Sequence, residues 1–356
     1  MTNKRVLVAM SGGVDSAATA LLLKYNGYDI SGITMRLWNE CSFLKGCTND
    51  AYDENSIQAK EIADKLGFEH FSVDMSSDFN EGVVLPFIED YKSGKTPNPC
   101  IECNKRLKFG RLLDFAFEKN FDFLATGHYA RIEKGYNGEI ALKKALDEKK
   151  DQSYFLWSIP KEKLSKILLP LGEFTKPQIR EIAREHGFSN ADRGDSQDIC
   201  FIPDGNYTAF LEKYGNVEFK CGSFIDLDGN ILGLHSGLER YTVGQRKGLG
   251  IALGKPMFVC EKNVADNTVT LCDDISLYKK ELSASQINLL INDTLENELK
   301  LQAKIRYRHS PATATVRRID ETTISVIFDE PQRAITKGQS LVLYDGDTVI
   351  GGGIIN

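Results

Sequence analysis

Apolar positions in the first third of the chain follow two alternating textures. Residues 5–10, 29–35, 69–73 and 121–126 are short apolar runs of strand length, whereas residues 17–25, 56–66 and 107–119 space their apolar side chains at helical intervals. Strands alternating with helices predict a parallel sheet covered by helices on both faces. Ligands of such sheets sit beyond the carboxyl ends of the strands. Ser11, Met35 and the turn Thr126-Gly127-His128 all fall at such ends, so three loops are expected to converge on one crevice.

From about Val217 the pattern changes to β-branched runs broken by Gly, Asp and Asn. Asp228-Gly229-Asn230 and Asp266-Asn267 read as hairpin turns. Residues 276–300 are polar and read as a connection. Beyond them, residues 301–308, 313–319, 323–328 and 340–344 alternate as strands of a small barrel or sandwich. The expected organisation is therefore a catalytic domain at 1–208, a β-rich central domain at 209–275 and a C-terminal β-barrel at 276–356.

At 356 residues and 42% hydrophobic, the chain can bury a substantial core. No apolar stretch approaches the roughly 18 residues of a membrane helix, and the run at 6–10 is too short for a signal peptide. A cytoplasmic protein without a membrane partner is expected. Eight cysteines are too sparse for a disulfide scaffold. The net charge of −6 argues against nonspecific coating of nucleic acid, but it is uneven. Acidic and basic residues balance from Ser276 to Asn356, while Lys105, Arg106, Lys108 and Arg111 crowd beside Cys100 and Cys103.

Chemistry is concentrated in a few segments. Ser11-Gly12-Gly13-Val14-Asp15-Ser16 lies between a strand ending at Ala9 and Met10 and a helix, the arrangement of a phosphate cradle. Glycine lets the backbone approach an anion, and the first-turn N–H groups and helix dipole bind it. The Gly-Lys-Ser/Thr ending of a Walker loop is missing. Thr96-Pro97-Asn98-Pro99-Cys100 stiffens an extended loop that offers Asn98 to a polar ligand. Cys100 and Cys103 admit a redox pair, coincidence, or a zinc site completed by Cys41 and Cys47. Cys200 stands among polar groups in the segment Asp195 to Gly205, whereas Cys221, Cys260 and Cys272 read as small buried residues.

The loop, Thr-Pro-Asn-Pro-x-x-x-Cys-Asn, Ala125-Thr126-Gly127-His128-Tyr129-Ala130-Arg131, Lys150-Asp151-Gln152-Ser153-Tyr154-Phe155-Leu156, the Cys200 segment and Tyr241-Thr242-Val243-Gly244-Gln245-Arg246-Lys247-Gly248-Leu249-Gly250 occur in order. Together they resemble the tRNA-specific 2-thiouridylase MnmA (TrmU) family, and the likeness runs through to the Gly351-Gly352-Gly353 tail. The resemblance implies an ATP-pyrophosphatase domain of the adenine nucleotide alpha hydrolase-like fold. It also implies ATP-dependent 2-thiolation of the wobble uridine, by adenylation of the C2 oxygen and sulfur transfer from a cysteine persulfide, releasing AMP and pyrophosphate.

By that resemblance Ala9, Met10, Ser11, Gly12, Gly13, Val14, Asp15, Ser16, Met35 and Gly127 bind ATP, with Mg²⁺ shared between the phosphates and Asp15 and no structural metal. Cys200 carries the persulfide. Cys103 is the nucleophile that either frees the terminal sulfur as sulfide or closes a Cys103–Cys200 disulfide after transfer. Lys105 and Arg106 are expected to favour its thiolate. Asn98, Pro99 and Cys100 face the flipped target base, where many relatives carry aspartate in place of Cys100. His128, Lys150, Asp151, Gln152, Arg306, Tyr307, Arg308 and Gln339 match positions that contact tRNA. The implied partners are the tRNA anticodon stem-loop and a sulfur-relay or cysteine desulfurase protein. Competing readings are another synthetase or thiolase using the same loop, and a zinc-stabilised RNA-binding module.

Overall fold

The computed structural model describes residues 4–38, 54–135, 138–191, 194, 198–291, 295 and 297–356. Cys41, Cys47 and the Asp195-Ser196-Gln197 part of the Cys200 segment lie outside the described residues. The chain divides into two compact units. The first holds Met1–Val83, Cys100–Gln197 and Gly346–Ile350, and the second holds Val84–Pro99, Asp198–Asp345 and Gly351–Asn356.

In the first unit, β1 (Arg5–Ala9), β2 (Asp29–Arg36), β3 (His70–Asp74), β4 (Phe123–Ala125) and β7 (Ile167–Leu168) form one parallel sheet in the order β3-β2-β1-β4-β7. β5 (Ala130–Lys134) and β6 (Ile140–Lys144) make an antiparallel hairpin beyond it. The apolar run of β1 reflects burial on both faces: Val6, Leu7 and Val8 are wholly inaccessible. Val6 and Val8 meet Val14, Ala17, Ala20 and Leu21 of the first helix, Val14–Tyr25, and Ala59 and Ile62 of helix Glu54–Leu66. Because β1 lies between β2 and β4, the chain reverses its winding there, and a crevice opens at the carboxyl ends of β1 and β4.

The region expected to be one helix at 107–119 begins earlier, as an α-helix at Pro99–Glu102 that takes in Pro99 and Cys100 of the expected extended loop, then a π-helix at Cys103–Leu112 and an α-helix at Leu113–Glu118. Periodicity cannot reveal a π-helix, since its residue types are those of any helix.

In the second unit, β8 (Gly222–Ile225), β9 (Ile231–His235), β10 (Phe258–Asn263) and β11 (Thr268–Cys272) form a sheet in the order β10-β11-β8-β9 around Phe224, Val259, Val269 and Leu271. Both expected turns occur, with Gly229 and Asn267 at positive φ. β12 (Tyr278–Leu289), β13 (Leu299–Lys304), β14 (Ala312–Arg318), β15 (Ile324–Arg333), β16 (Ser340–Asp345) and β17 (Thr348–Ile355), which belongs to this unit from Gly351 on, follow, and pairing of β12 with both β15 and β17 closes a barrel. The polar stretch expected to be a connection thus contains β12. Its first four residues are exposed and only Ala284 is fully buried, so it lacks the apolar alternation that marks a strand.

Among the described residues, no helix is long and apolar enough to cross a membrane. Replacing Leu7 with alanine should lower stability by about 2–5 kcal/mol, the cost of a core cavity. Chemical denaturation would show this as a lower midpoint with an unchanged slope.

Candidate active site

The cradle forms where β1 runs into the first helix. Gly12 turns the chain at φ +70°, and a Cβ there would lie 2.8 Å from the Asn55 carbonyl oxygen. Gly13 caps the helix without a side-chain acceptor, so no side chain of its own occupies the first turn. Ser16 Oγ instead braces the loop, donating to the Gly13 carbonyl at 3.0 Å and accepting from the Ser11 N–H at 3.2 Å. Asn190 Nδ2 donates to the Gly12 carbonyl at 2.7 Å. Ser11 is exposed, Ala9, Gly13 and Asp15 are half-buried, and Met10, Gly12, Val14 and Ser16 are buried.

Met35 is half-buried near the end of β2, and Gly127 follows β4. A Cβ on Gly127 would stand 3.0 Å from the Asp15 carbonyl carbon, so the two loops pack closely and any side chain there would push them apart by a few tenths of an ångström. Asp15 is held tightly. Tyr129 Oη donates to its Oδ1 at 2.8 Å, and Lys176 Nζ reaches both carboxylate oxygens at 2.8 Å. Sequence reading missed Lys176, which lies 161 residues from Asp15. Its one local signal was a helix start, Thr175-Lys176-Pro177-Gln178, which forms a capping box.

A second cluster in the same unit surrounds Cys103. The i→i+5 repeat of the π-helix brings Lys108 round toward Cys103, whereas an α-helix would set it about 140° away. Burial pushes the Cys103 thiol up, and the Lys108 charge opposes that shift. Desolvation likewise raises Cys100, although much of that residue's surface is exposed, and Lys108 again opposes it. The cation acting on the thiols is therefore Lys108. Of Lys105 and Arg106, both expected in that role, Lys105 is half-buried and Arg106 pairs with Glu102 at 2.7 Å.

His128 is buried, and its pKa lies well below the ordinary value, through desolvation first and Lys108 second. It is a neutral imidazole. Lys108 Nζ donates to Nε2 at 3.5 Å, so the ring proton sits on Nδ1, 2.7 Å from Thr126 Oγ1.

The other candidates are placed as follows. Asp151 is buried and accepts from the Ala145 and Ser153 N–H groups and from Ser153 Oγ. Gln152 Oε1 accepts from the Tyr129 N–H at 2.9 Å, and Lys150 is half-buried beside them. In the second unit, Asn98 is half-buried and Pro99 buried. Gln339 Nε2 donates to the Thr96 carbonyl at 2.7 Å, tying the start of that loop to the barrel. Arg306 donates to the Ala334 carbonyl at 2.6 Å and to Thr336 Oγ1, which fixes the guanidinium within the barrel. Tyr307 is half-buried near Lys304, and Arg308 is exposed.

Cys200, also in the second unit, is exposed, while the next residue, Phe201, is buried against Phe87 and Phe210. Cys103 and Cys200 are both thiols, not joined in a disulfide. Cys272 is buried as expected and its thiol is pushed up to about 12, chiefly by burial, whereas Cys221 is exposed, against the expectation of a core residue. Its position just before β8, at the strand's solvent-facing entry, accounts for the difference.

Three families match in succession: the tRNA methyl transferase HUP domain over residues 4–204, the tRNA methyl transferase PRC-barrel domain over 208–273 and the aminomethyltransferase β-barrel domain over 279–355. The tRNA-specific 2-thiouridylase MnmA of Clostridioides difficile (strain 630) is 48% identical, covering 99% of this chain and 98% of its own. The chain belongs to the MnmA family. Enzymes of the same name from Acetivibrio thermocellus and from Clostridium botulinum (strain Alaska E43 / Type E3) are each 44% identical over 100% of this chain, covering 100% and 98% of their own lengths. Family membership makes the shared fold that of a HUP domain with a parallel sheet, followed by two β-barrel domains.

Two outcomes follow. Lys108→Met should raise the Cys103 pKa further, because the opposing charge is lost while burial stays. In a Cys100→Ser background, alkylation of Cys103 across pH should shift its midpoint to higher pH, and an unmoved midpoint would remove Lys108 from this role. Arg306→Ala should destabilise the barrel, whereas Arg308→Ala should leave the melting temperature within about 1 °C and reduce the salt dependence of tRNA binding by about one phosphate contact.

Proposed function

We propose that this protein installs sulfur at C2 of the wobble uridine of tRNA, in the cytoplasm, using ATP. The observation that carries this reading is the pairing, within one unit, of an anion cradle at the sheet's switch point with a buried thiol governed by a lysine. The 2-thiouridylases that match the whole chain support it.

The residues perform separable tasks. First-turn N–H groups and Ser11 hold the polyphosphate, and Met35 and Gly127, at the ends of β2 and β4, receive the adenosine. The uridine C2 oxygen attacks the α-phosphate and pyrophosphate departs, which turns a poor leaving group into AMP. Cys200 brings the terminal sulfur of a persulfide loaded by a donor protein. Cys103 thiolate attacks the Cys200 sulfur, forming a Cys103–Cys200 disulfide. The terminal sulfur is expelled as sulfide, which attacks C2 and displaces AMP, or, where it has already displaced AMP from C2, it leaves with the base as the disulfide forms. An external thiol then reduces the disulfide. Mg²⁺ supplies charge neutralisation of the phosphates when bound. Asn98 and Pro99, on the loop anchored by Gln339, receive the unstacked base.

Incubation of the protein with unmodified tRNA, ATP, Mg²⁺ and a sulfide source, followed by nucleoside mass spectrometry, tests the reading. The expected product is uridine with sulfur in place of one oxygen, formed with AMP and pyrophosphate. With a persulfide donor, Cys103→Ser and Cys200→Ser should each reduce the product by about 10³-fold or more. Pyrophosphate release triggered by a small acid rather than by tRNA, or a methyl gain in place of sulfur, would overturn it.

A further inference from the structure

The pyrophosphate loop contains no lysine, yet a lysine stands against it. Lys176 is the first residue of helix Lys176–Glu185, where Thr175 and Gln178 form the capping box and Asp147 Oδ2 accepts the Lys176 N–H at 2.9 Å. A cation at the positive end of a helix is electrostatically misplaced. It is also nearly buried, with its side chain 6% exposed, and burial of a charge is costly unless a partner compensates. The compensation is Asp15, in the first turn of the cradle helix, with both carboxylate oxygens 2.8 Å from Nζ. Tyr129 closes the set from the other side, donating to Oδ1 and placing its ring 5.6 Å from the ammonium. Asp147, Thr175 and Tyr129 thus fix the lysine's backbone and head.

From this arrangement we infer that Lys176 is the pyrophosphate-binding cation of the cradle, and that Asp15 serves to orient it rather than to ligate Mg²⁺. The ammonium is held by the residue whose backbone comes nearest to a Cβ on Gly127, and therefore lies where the turns that follow β1 and β4 meet. It supplies from a remote helix the charge that a Walker loop carries in its own sequence. Lys176 and Tyr129 already engage the Asp15 oxygens, so on this inference the metal enters on the phosphates. The inference rests on the ATP-using reading above.

Binding of ATP, pyrophosphate and AMP to the full chain, each with Mg²⁺ and measured by calorimetry, separates the alternatives. Lys176→Met should weaken ATP and pyrophosphate by about tenfold to hundredfold, the worth of a charge-assisted hydrogen bond, and leave AMP within about twofold. Lys176→Arg should recover part of the loss. Asp15→Asn should weaken ATP without changing the Mg²⁺ concentration needed for half-maximal binding. The double variant Asp15→Asn/Lys176→Met removes the stranded carboxylate, so persistence of the ATP defect there supports direct phosphate contact.

Recovery in the double variant would show that Lys176 merely neutralises Asp15, and would overturn the inference. Equal losses for all three ligands, or a raised Mg²⁺ requirement in Asp15→Asn, would also overturn it. Failure of the native chain to bind ATP and pyrophosphate would overturn the functional reading with it, whereas tight binding by Lys176→Met would sink this inference alone.

Discussion

Parallel pairing of β1 with β2 on one side and β4 on the other is the constraint from which the nucleotide site follows. Two connections that leave a parallel sheet in opposite directions cannot cover the strand ends between them. The carboxyl end of β1 leads through the Gly12-Gly13 turn into a helix whose first N–H groups lack intrahelical acceptors. Gly12 and Gly127 are glycines because neighbouring backbone lies where a side chain would project. Sheet order, helix end and glycine positions thus express one geometric requirement.

Around that opening the first unit buries three kinds of ionisable group, each stabilised differently. Lys176 is held in a two-oxygen ion pair with Asp15. His128 sheds its charge and satisfies both ring nitrogens with Thr126 and Lys108. Cys103 stays protonated under desolvation, with Lys108 pulling in the opposite direction. Lys108 therefore acts on the thiol and the imidazole alike, and its effect depends on the π-helical register. An α-helix through the same residues would separate the charge from Cys103.

Much of this was legible in the sequence where one property dominated. The run through Val6, Leu7 and Val8 and the loop Ser11–Ser16 identify a doubly buried strand entering a glycine turn at the start of a helix. Asp228-Gly229-Asn230 marks its hairpin because positive φ demands such residues. β12 was hidden because barrel closure is achieved by backbone pairing on two sides, with little apolar burial to announce it. Lys176 was hidden because a charged residue near a helix start ordinarily faces water, and only tertiary contact with Asp15 gives it meaning. Arg306 shows the reverse: the strand pattern and resemblance single out its charge, while the fold commits that charge to the Ala334 carbonyl and Thr336.

The contrast between the two thiols fits the roles proposed for them, Cys200 as sulfur acceptor and Cys103 as resolving thiol. A sulfur acceptor has to meet an external donor, and Cys200 is exposed while its neighbour Phe201 anchors the segment in an aromatic cluster with Phe87 and Phe210. A resolving thiol benefits from the opposite condition, because a protonated buried sulfur is a weak nucleophile and resists oxidation by solvent species. Cys103 is in that state, and the charge able to activate it is already beside it on Lys108. Exclusion of water strengthens the lysine's pull on a forming thiolate even as it disfavours the thiolate in isolation. The same burial therefore keeps the sulfur inert at rest and makes its activation depend on a single neighbouring charge.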